Sequence, residues 1–374
     1  MKSVENSENK VNQTVAGKTG IITFHFVNNF GGALQAYALR KYVSDRFCSD
    51  TGLVDYRHWF IRFTDAVRML PITTNFRYYG PWFGAFPKIL KRRRKFSAFA
   101  KRELQLSDRV NREGGLKKLG EDYQYLICGS DQIWNPTITL GLSKPYFLTF
   151  APEGCRKFSY AASVGTVKPA KQKTMLGYLK DLDAVSIREK VDWIDDEPSL
   201  DVHHNIDPTF LLETEEWKSM ARLPKKKKQK YILTYFMQKN EDSYPTIQAI
   251  KNKKNCKVVE ISRYGYKADC VDKVMVDVGP EEFVGLFSGA SHICTNSFHG
   301  LVFGVIFNKS VDFIPIKKFG GRIEALCELL HLTKVPVDGG RYFHIEYDPE
   351  EVKAIIARER EKTYSYLEKA FKSE

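Results

Sequence analysis

The segment from Thr295 to Gly300, Thr-Asn-Ser-Phe-His-Gly, combines a histidine with small polar residues at a predicted strand-to-helix turn. Apolar runs precede and follow it, so we expect Thr295, Asn296 or Ser297 to cap the helix. The free N–H groups and the dipole at a helix start bind phosphate or carboxylate. His299 in the first turn would add an imidazole that can act as an acid or a base. The alternative is a buried histidine beside a serine that only caps.

Arg188 ends another predicted strand, in the sequence Ser-Ile-Arg-Glu. Open α/β sheets bind their ligands at the C-terminal ends of their strands. A guanidinium at that edge can hold a phosphate or a carboxylate through two parallel hydrogen bonds. A structural salt bridge with Glu189 or a neighbouring acid explains the residue equally well.

Residues 129–136, Gly-Ser-Asp-Gln-Ile-Trp-Asn-Pro, bring together the chemistry that a sugar requires. A carboxylate and amides suit hydroxyl groups, and an indole suits the face of a sugar ring. Asp131 could also remove the proton of a hydroxyl group. A common turn followed by a common loop end is the alternative. The candidate sugar-binding residues are Ser130, Asp131, Gln132, Trp134 and Asn135.

Two glycines stand at the turn after the first predicted strand, within Asn-Asn-Phe-Gly-Gly-Ala-Leu-Gln at 28–35. They would let the backbone approach a ligand closely. The spacing is not the G-x-G-x-x-G of dinucleotide sites, so no dinucleotide cofactor is predicted. A tight turn without a ligand is the alternative. The candidate ligand contacts are Asn29, Gly31, Gly32 and Gln35.

Strand-like apolar runs alternate with helical patterns, which indicates α/β structure with mostly parallel sheets covered on both faces. A chain of 374 residues is expected to form two domains. We therefore predict two doubly wound, Rossmann-like domains that face each other across a cleft. They are an N-terminal domain at 19–212 and a C-terminal domain at 213–345, with a disordered leader at 1–18 and a C-terminal helix at 346–374. The boundary precedes an acidic stretch and four lysines at 225–228.

The individual elements follow from the same patterns. Strands are predicted at 20–27, 123–128, 157–162, 183–188, 231–236, 257–261 and 292–295. Helices are predicted after residue 32 and at 244–251, 280–288, 297–307 and 349–372.

The net charge of +13 and the pI near 9.2 predict an anionic partner. No nucleic-acid-binding signature accompanies the charge, so a phosphorylated substrate or an anionic membrane is preferred over nucleic acid. Seven scattered cysteines without a C-x-x-C pair indicate reduced thiols, and no metal site is predicted. The N-terminus lacks the apolar core of a signal peptide, and no apolar run is long enough to span a membrane. We expect a cytoplasmic protein.

Residues 76–102 interleave aromatic side chains with lysines and arginines. This pattern is typical of a segment that inserts at an anionic membrane interface. The predicted contacts are Lys91, Arg92, Arg93 and Arg94. A solvated basic helix beside a buried loop is the alternative.

Five segments occur in an order that resembles the bacterial polysaccharide pyruvyl transferase family. They are Asn-Phe-Gly-Gly-Ala-Leu-Gln, Gly-Ser-Asp-Gln-Ile-Trp-Asn, Ser-Ile-Arg-Glu, Asp-Pro-Thr and Thr-Asn-Ser-Phe-His-Gly, and the resemblance runs over about residues 20–327. It implies a two-domain fold of the GT-B glycosyltransferase kind. It also implies transfer of pyruvate from phosphoenolpyruvate, as co-substrate without a further cofactor, to a hexose of a polysaccharide precursor. The product is a pyruvate ketal and phosphate is released.

Under this resemblance, His299 corresponds to the histidine of the phosphoenolpyruvate site and Arg188 to an anion-binding arginine. Asp131 would orient or deprotonate the acceptor, which we expect to be a polyprenyl-linked sugar held by the segments at 29–35 and 130–135. A nucleotide-sugar glycosyltransferase and a non-catalytic sugar-binding protein are the alternatives. The predicted phosphoenolpyruvate-binding residues are Arg188, Asn296, Ser297, Phe298, His299 and Gly300.

Overall fold

The chain forms two α/β halves, each built around a parallel sheet. The computed structural model describes residues 15–70, 79–222, 230–237, 243–315 and 320–372. The predicted leader lies outside these ranges up to residue 14, and the lysine run at 225–228 lies outside them entirely. Within the described ranges, no helix combines the length and apolar character that a membrane span requires.

The N-terminal half contains the strands β1 (Thr19–Ile22), β2 (Thr51–Leu53), β3 (Tyr125–Gly129), β4 (Arg156–Tyr160), β5 (Val185–Ile187) and β6 (Val202–His204). Four of them pair in the parallel order β2-β1-β3-β4, and single backbone bridges join β4 to the parallel pair β5-β6. Its helices are α1 (Phe30–Arg46), α2 (Trp59–Val67), α3 (Tyr79–Glu103), α4 (Glu113–Gly120), α5 (Pro169–Lys180) and α6 (Asp192–Asp195).

The C-terminal half contains the strands β7 (Tyr231–Tyr235), β8 (Lys257–Ile261), β9 (Lys273–Met275), β10 (His292–Thr295), β11 (Ser310–Phe313), β12 (Thr333–Val337) and β13 (Tyr342–Glu346). The order is β9-β8-β7-β10-β11-β13-β12, in which the first five strands are parallel and the last two antiparallel. The helices from residue 213 onward are α7 (Thr214–Met220), α8 (Ser243–Lys254), α9 (Pro280–Gly289), α10 (Phe298–Ile306), α11 (Gly321–Leu329) and α12 (Pro349–Phe371).

The first strand is shorter than its sequence predicts. An apolar run at 20–27 predicts a single strand, but β1 ends at Ile22. Beyond it, the Thr23 hydroxyl donates to the Ser130 carbonyl and the His25 imidazole bonds to Asp55. These side chains find partners outside the sheet, so the chain turns away before α1.

Contacts made by the helices α1, α3 and α12 join the two halves. Phe30 in α1 stacks on Phe283 in α9 with ring centres 4.3 Å apart, so the apolar core continues between the halves. Lys95 of α3 donates to the Asp277 carbonyl of the other half at 2.7 Å. Helix α12 returns to the N-terminal half, where Tyr366 donates to the Ser159 carbonyl at 2.6 Å.

Candidate functional site

Two helices begin at the cleft and direct their first turns at each other. Asn29 caps α1 by accepting a hydrogen bond from the Gly31 N–H at 3.1 Å, and Ser297 is the N-cap residue of α10. A Cβ atom at Gly31 would lie 2.0 Å from Nδ1 of His299, so the imidazole lies directly on the first turn of α1. The positive ends of both helix dipoles therefore converge, which favours an anion there.

In each sheet, two neighbouring strands next to this cleft continue along the chain in opposite directions across the sheet. In the N-terminal half, β1 and β3 are neighbours whose connections diverge, and they lead to the loops at 23–29 and at 130–135. In the C-terminal half, β7 and β10 are the equivalent pair and lead to Phe236 and to Asn296. Crevices at such points are the usual ligand sites of open α/β sheets.

Arg188 follows β5 and is buried against an acid. Its Nη1 atom lies 2.8 Å from Oδ2 of Asp207, and its Nη2 atom donates to the Ser130 hydroxyl. Nε2 of His299 lies 3.6 Å from the same Asp207 oxygen, which is too long for a hydrogen bond but within ion-pair distance when the imidazole carries a proton. Asp207 thus links the arginine of one half to the histidine of the other.

The Asp207 carboxylate is held by its backbone neighbours as well. Its Oδ1 accepts from the Thr209 N–H at 2.9 Å and from the Thr209 hydroxyl at 2.6 Å. Burial alone would raise the pKa of Asp207, but the charge of Arg188 and the contacts with His299 and Thr209 outweigh it and hold that pKa well below its usual range. The group therefore stays ionised at neutral pH and places a fixed negative charge beside the imidazole.

A second arginine enters the cleft from the C-terminal half. Arg322, in the first turn of α11, has its guanidinium 5.4 Å from the centre of the Phe298 ring, and the Arg188 guanidinium lies at the same distance from that ring. With its amide oxygen turned toward Arg322, Gln132 accepts from Nε at 3.1 Å and from Nη2 at 2.6 Å. Burial and the charge of Arg188 lower the pKa of Arg322. A bound anion would offset the repulsion between these two cations.

Asp131 has a left-handed backbone conformation, with φ at +62°. This conformation is uncommon outside glycine and is often found at functional sites. Its Oδ1 accepts from the Gln132 N–H at 2.8 Å, and its Oδ2 lies 3.3 Å from the position of a Cβ atom on Gly32. The carboxylate therefore lies at the start of α1, as does His299.

The sequence profile described as polysaccharide pyruvyl transferase matches residues 29–316, which is more than half of the chain. The chain belongs to the polysaccharide pyruvyl transferase family. This confirms the recognition made from the five segments, and the protein is a transferase of polysaccharide synthesis. No curated protein matches the sequence significantly.

Solved structures of similar shape come from sugar-nucleotide enzymes. A putative UDP-N-acetylglucosamine 2-epimerase from Listeria monocytogenes has a TM-score of 0.50 and 9% identity, over 94% of this chain and 91% of that one. Another UDP-N-acetylglucosamine 2-epimerase has a TM-score of 0.51 and 11% identity, over 92% of this chain and 91% of that one. Identities this low show only the fold, which is the two-domain GT-B-like arrangement that the sequence predicts.

The transferase brings several predicted site residues together. Arg188, Asp131 and His299 lie around one cleft with Ser130 and Phe298, and Gln132 reaches Arg322. Asn135 lies at the end of the same loop, where its side-chain oxygen accepts from the Thr137 N–H. Their assigned roles remain predictions. Gly300 also has a local reason for its identity, because a Cβ atom there would lie 2.2 Å from the Thr295 hydroxyl.

Two predicted acceptor contacts lie in the core instead. The Trp134 side chain is 1% exposed, stacks on Phe147 at 5.4 Å and donates to the Tyr146 carbonyl. The Gln35 amide is fully buried and donates to the Thr23 hydroxyl and the Gly32 carbonyl. Neither side chain can contact a sugar directly, because both are enclosed by the N-terminal half.

The structure also corrects the predicted membrane contacts. Arg92 is 8% exposed and lies over the Phe30 ring at 4.6 Å. Arg92 and Arg93 both line one cavity of the protein, so these side chains face the protein. Lys91 is exposed but pairs with Asp277 at 2.7 Å. Of the four residues, only Arg94 is exposed without an ion-pair partner among the described residues.

Sequence reasoning overlooked two site residues. Asp207 stands in the Asp-Pro-Thr segment, where an acid before proline indicates the cap of a short helix, but nothing local connects it to Arg188. Arg322 follows a glycine pair at the start of an amphipathic helix. That glycine-arginine start is the only signal that could have drawn attention to it.

A separate polar cluster lies on the neighbouring strands β10 and β11 of the C-terminal sheet. The ligand atoms of His292, Cys294 and Asp312 lie within 4.8 Å of one another, a spacing that could hold a metal ion. The Asp312 carboxylate accepts from His292 at 2.7 Å and from His344 at 2.8 Å. These contacts satisfy the buried carboxylate within the protein, and they lower its pKa against the effect of burial.

Proposed function

We propose that this pyruvyl transferase takes pyruvate from phosphoenolpyruvate and forms a ketal with two hydroxyl groups of a hexose. The observation that supports this most is the presence of Arg188 and Arg322 on one ring, Phe298, beside His299. Phosphoenolpyruvate carries a phosphate and a carboxylate on one small carbon frame. Two guanidinium groups and two helix starts suit these two anions.

The reaction begins with addition of a proton to the methylene carbon of phosphoenolpyruvate, which makes C2 electrophilic. One sugar hydroxyl then bonds to C2 and gives its proton to a base. A second hydroxyl of the same sugar replaces the phosphate at C2, and its proton leaves with the phosphate. The products are a cyclic ketal, with a methyl group and a carboxylate on C2, and inorganic phosphate.

Residues of both halves carry these steps in the proposal. Asp131 accepts the proton of the attacking hydroxyl, because its carboxylate is held at the start of α1 by a fixed backbone conformation. His299 carries a proton to the substrate or stabilises the departing phosphate, with Asp207 as the adjacent negative charge. Arg188 and Arg322 hold the anions of phosphoenolpyruvate.

The test is phosphate release from phosphoenolpyruvate with and without candidate hexose acceptors, with mass spectrometry of the sugar product. We expect acceptor-dependent phosphate release and a gain in acceptor mass equal to one pyruvate less one water. His299→Ala should lower kcat by about 10²- to 10⁴-fold. His331→Ala is the matched control, since that exposed imidazole pairs with Glu351 at the surface.

Three results would contradict this proposal. Turnover by His299→Ala at the wild-type rate would remove the histidine from the mechanism. Consumption of a nucleotide sugar without use of phosphoenolpyruvate would indicate a glycosyltransferase. Acceptor binding without any turnover would indicate a sugar-binding protein.

We also propose that the acceptor is polyprenyl-linked and that the enzyme works on the inner face of the cell membrane. Apolar side chains are exposed on α2 and α3, where basic residues accompany them; they are Trp59, Phe63, Phe83, Phe86 and Leu90, with Lys88 and Arg94. Exposed aromatic groups beside cations suit an anionic lipid surface. Exposed apolar side chains that lie together mark a surface that binds a membrane or another protein.

Co-sedimentation with vesicles that contain anionic lipid tests this contact. Phe83→Ser with Phe86→Ser should weaken binding at least several-fold, and the exposed Leu140, which lies outside these helices, provides the control Leu140→Ser. Equal binding of both variants and the wild type would reject the membrane contact. Turnover of short-chain acceptors in free solution would still report the pyruvyl transfer separately.

A further inference from the structure

A basic cavity opens beside the catalytic cleft and is distinct from the Arg188 and Arg322 pair. Its lining includes four arginines, Arg68, Arg92, Arg93 and Arg263, and we call it the arginine pocket. Its cavity volume is about 90 Å³, and it opens to solvent at its mouth. The pocket lies between the end of α2, the middle of α3 and the C-terminal ends of β7 and β8.

The arginine pocket and the site around His299 are neighbours along two stretches of the chain. Asn29 lines the pocket and also caps α1, where Gly31 touches the imidazole. On the other side, Met237 lines the pocket, and its N–H donates to Oδ1 of Asn296 at 2.8 Å. The pocket is therefore placed to receive a part of the acceptor that extends beyond the catalytic cleft.

The charge of the pocket is not balanced by its own lining. Among the described residues of the lining, Asp65 is the one acid, and its carboxylate already accepts from the backbone and the amide of Asn28. Among the described residues, none of the four arginines forms an ion pair with a carboxylate. A cavity with four guanidinium groups and one engaged acid attracts an anion.

Arg92 provides the strongest evidence for a ligand. It is 8% exposed, and its Nε atom has no hydrogen-bond partner among the described residues. Its Nη2 atom makes a long contact of 3.3 Å with the Asn28 carbonyl, and the remainder of the guanidinium lies over the rings of Phe30 and Phe96. Burial lowers the pKa of Arg92 to about 10, so the group is still charged at neutral pH. A buried cation without an anion is costly unless a ligand pairs with it.

We propose that the arginine pocket binds a diphosphate group on the sugar acceptor. The inference rests on the proposed function, in which Arg188 and Arg322 already serve the anions of phosphoenolpyruvate. The four arginines of the pocket are then free for a second anion, and guanidinium groups suit phosphate oxygens. Both a polyprenyl diphosphate sugar and a nucleoside diphosphate sugar carry this group.

The first experiment measures binding of inorganic diphosphate to the full-length enzyme by calorimetry, without turnover. Arg68→Gln and Arg263→Gln should each weaken binding by about tenfold or more, because each removes a charged hydrogen-bond donor. Arg62→Gln is the matched control, since Arg62 lies on α2 as an exposed arginine outside the pocket. Arg92→Lys, which keeps the charge, is added in case other changes at this buried position prevent folding, and it should bind more weakly than wild type.

The second experiment compares three acceptors of the same hexose: a short-chain prenyl diphosphate sugar, a nucleoside diphosphate sugar and the free sugar. Arg263→Gln should raise KM about tenfold for the preferred diphosphate acceptor, while the control Arg62→Gln should leave that KM and the turnover of the free sugar unchanged. Preference for the prenyl or the nucleoside compound identifies the source of the diphosphate. Diphosphate binding that is equal in wild type, Arg68→Gln and Arg263→Gln would overturn the inference.

The two proposals fail in different ways. If no acceptor receives pyruvate but diphosphate binding depends on the pocket arginines, the diphosphate site stands and the proposed reaction is wrong. If pyruvate transfer occurs with equal KM in wild type and Arg263→Gln, the reaction stands and the diphosphate site is wrong.

Discussion

Replacement of Gly31 by alanine tests whether the first turn of α1 positions the imidazole of His299. The new Cβ atom would lie 2.0 Å from Nδ1, 2.4 Å from Cε1 and 2.6 Å from Cγ of His299. Real contacts of a Cβ atom are longer than 3.0 Å, so the ring must move by about 1 Å. A shift of this size in a reacting group lowers turnover by about 10²-fold.

Gly31→Ala is not expected to lower the stability of the fold. Alanine stabilises a helix relative to glycine by about 1 kcal/mol, and only the side chain of His299 needs to move. Gly177→Ala in α5 is the control, since a Cβ atom there meets no atom within 4 Å. We therefore expect Gly31→Ala to lower kcat with phosphoenolpyruvate and acceptor, while the Tm stays near that of Gly177→Ala.

A double variant decides whether the loss arises through the imidazole. In the His299→Ala background the clash is absent, so Gly31→Ala should cause almost no further loss of kcat. An additional loss as large as in the single variant would refute the positioning role of Gly31. Wild-type turnover by Gly31→Ala would refute the predicted displacement of the ring.

Three further predictions follow from buried contacts. Asp207→Asn leaves Arg188 unpaired and should lower the free energy of unfolding by about 3 to 5 kcal/mol at pH 7. Because the pKa of Asp207 is lowered in the folded state, this stability is present above the unfolded pKa of about 4 and is lost as pH falls through the folded pKa. The difference in free energy of unfolding between wild type and Asp207→Asn, measured by urea titration, should therefore narrow below about pH 4. A difference that widens there would contradict the lowered pKa of Asp207. Arg322→Gln should raise KM for phosphoenolpyruvate about tenfold or more without changing KM for the acceptor, which steady-state kinetics with each substrate varied will measure; an equal rise in both constants would argue against a specific role. Phe371→Ala removes a ring, 2% exposed, that packs on three aromatic neighbours, and should cost about 3 to 5 kcal/mol in denaturant unfolding; a loss below 1 kcal/mol would show that α12 contributes little.

Elements with strong local signals were predictable from the sequence. The strands at Lys257–Ile261 and His292–Thr295 and the start of the helix at Pro349 agree with the prediction residue by residue. Each combines an apolar run or a helical period with polar residues or a proline at its boundary. The fold class followed from these elements, since their alternation specifies parallel sheets covered by helices.

Other elements lacked such signals. The antiparallel strands β12 and β13 contain lysine, proline, histidine and glutamate, and their residues are mostly half-exposed, so no apolar run marks them. Helix α3 runs for 25 residues through Pro87, with two glycines in its first turns, and these residues obscure its period. Packing across the cleft stabilises this helix in a way that the local pattern does not reveal.

The candidate site was predictable only in its local parts. The turn before α10 and the glycines before α1 are visible in the sequence, but the contact of His299 with Gly31 joins residues far apart in the chain. Asp207 and Arg322 reach the site through tertiary contacts that no local pattern specifies. Trp134 shows the opposite error, since its neighbours suggested a sugar platform while the folded loop encloses it.

The return of α12 to the N-terminal half has a consequence for how the chain is synthesised. The sheet of that half is complete by β6, yet Phe158 and Tyr160 in β4 pack against α12, which begins only at Pro349. Translation adds about 5 to 20 residues per second. This face of the first sheet therefore stays exposed until the whole second half has been synthesised. The two halves should consequently unfold together in one transition, and a fragment that ends near residue 212 should aggregate through its uncovered strands.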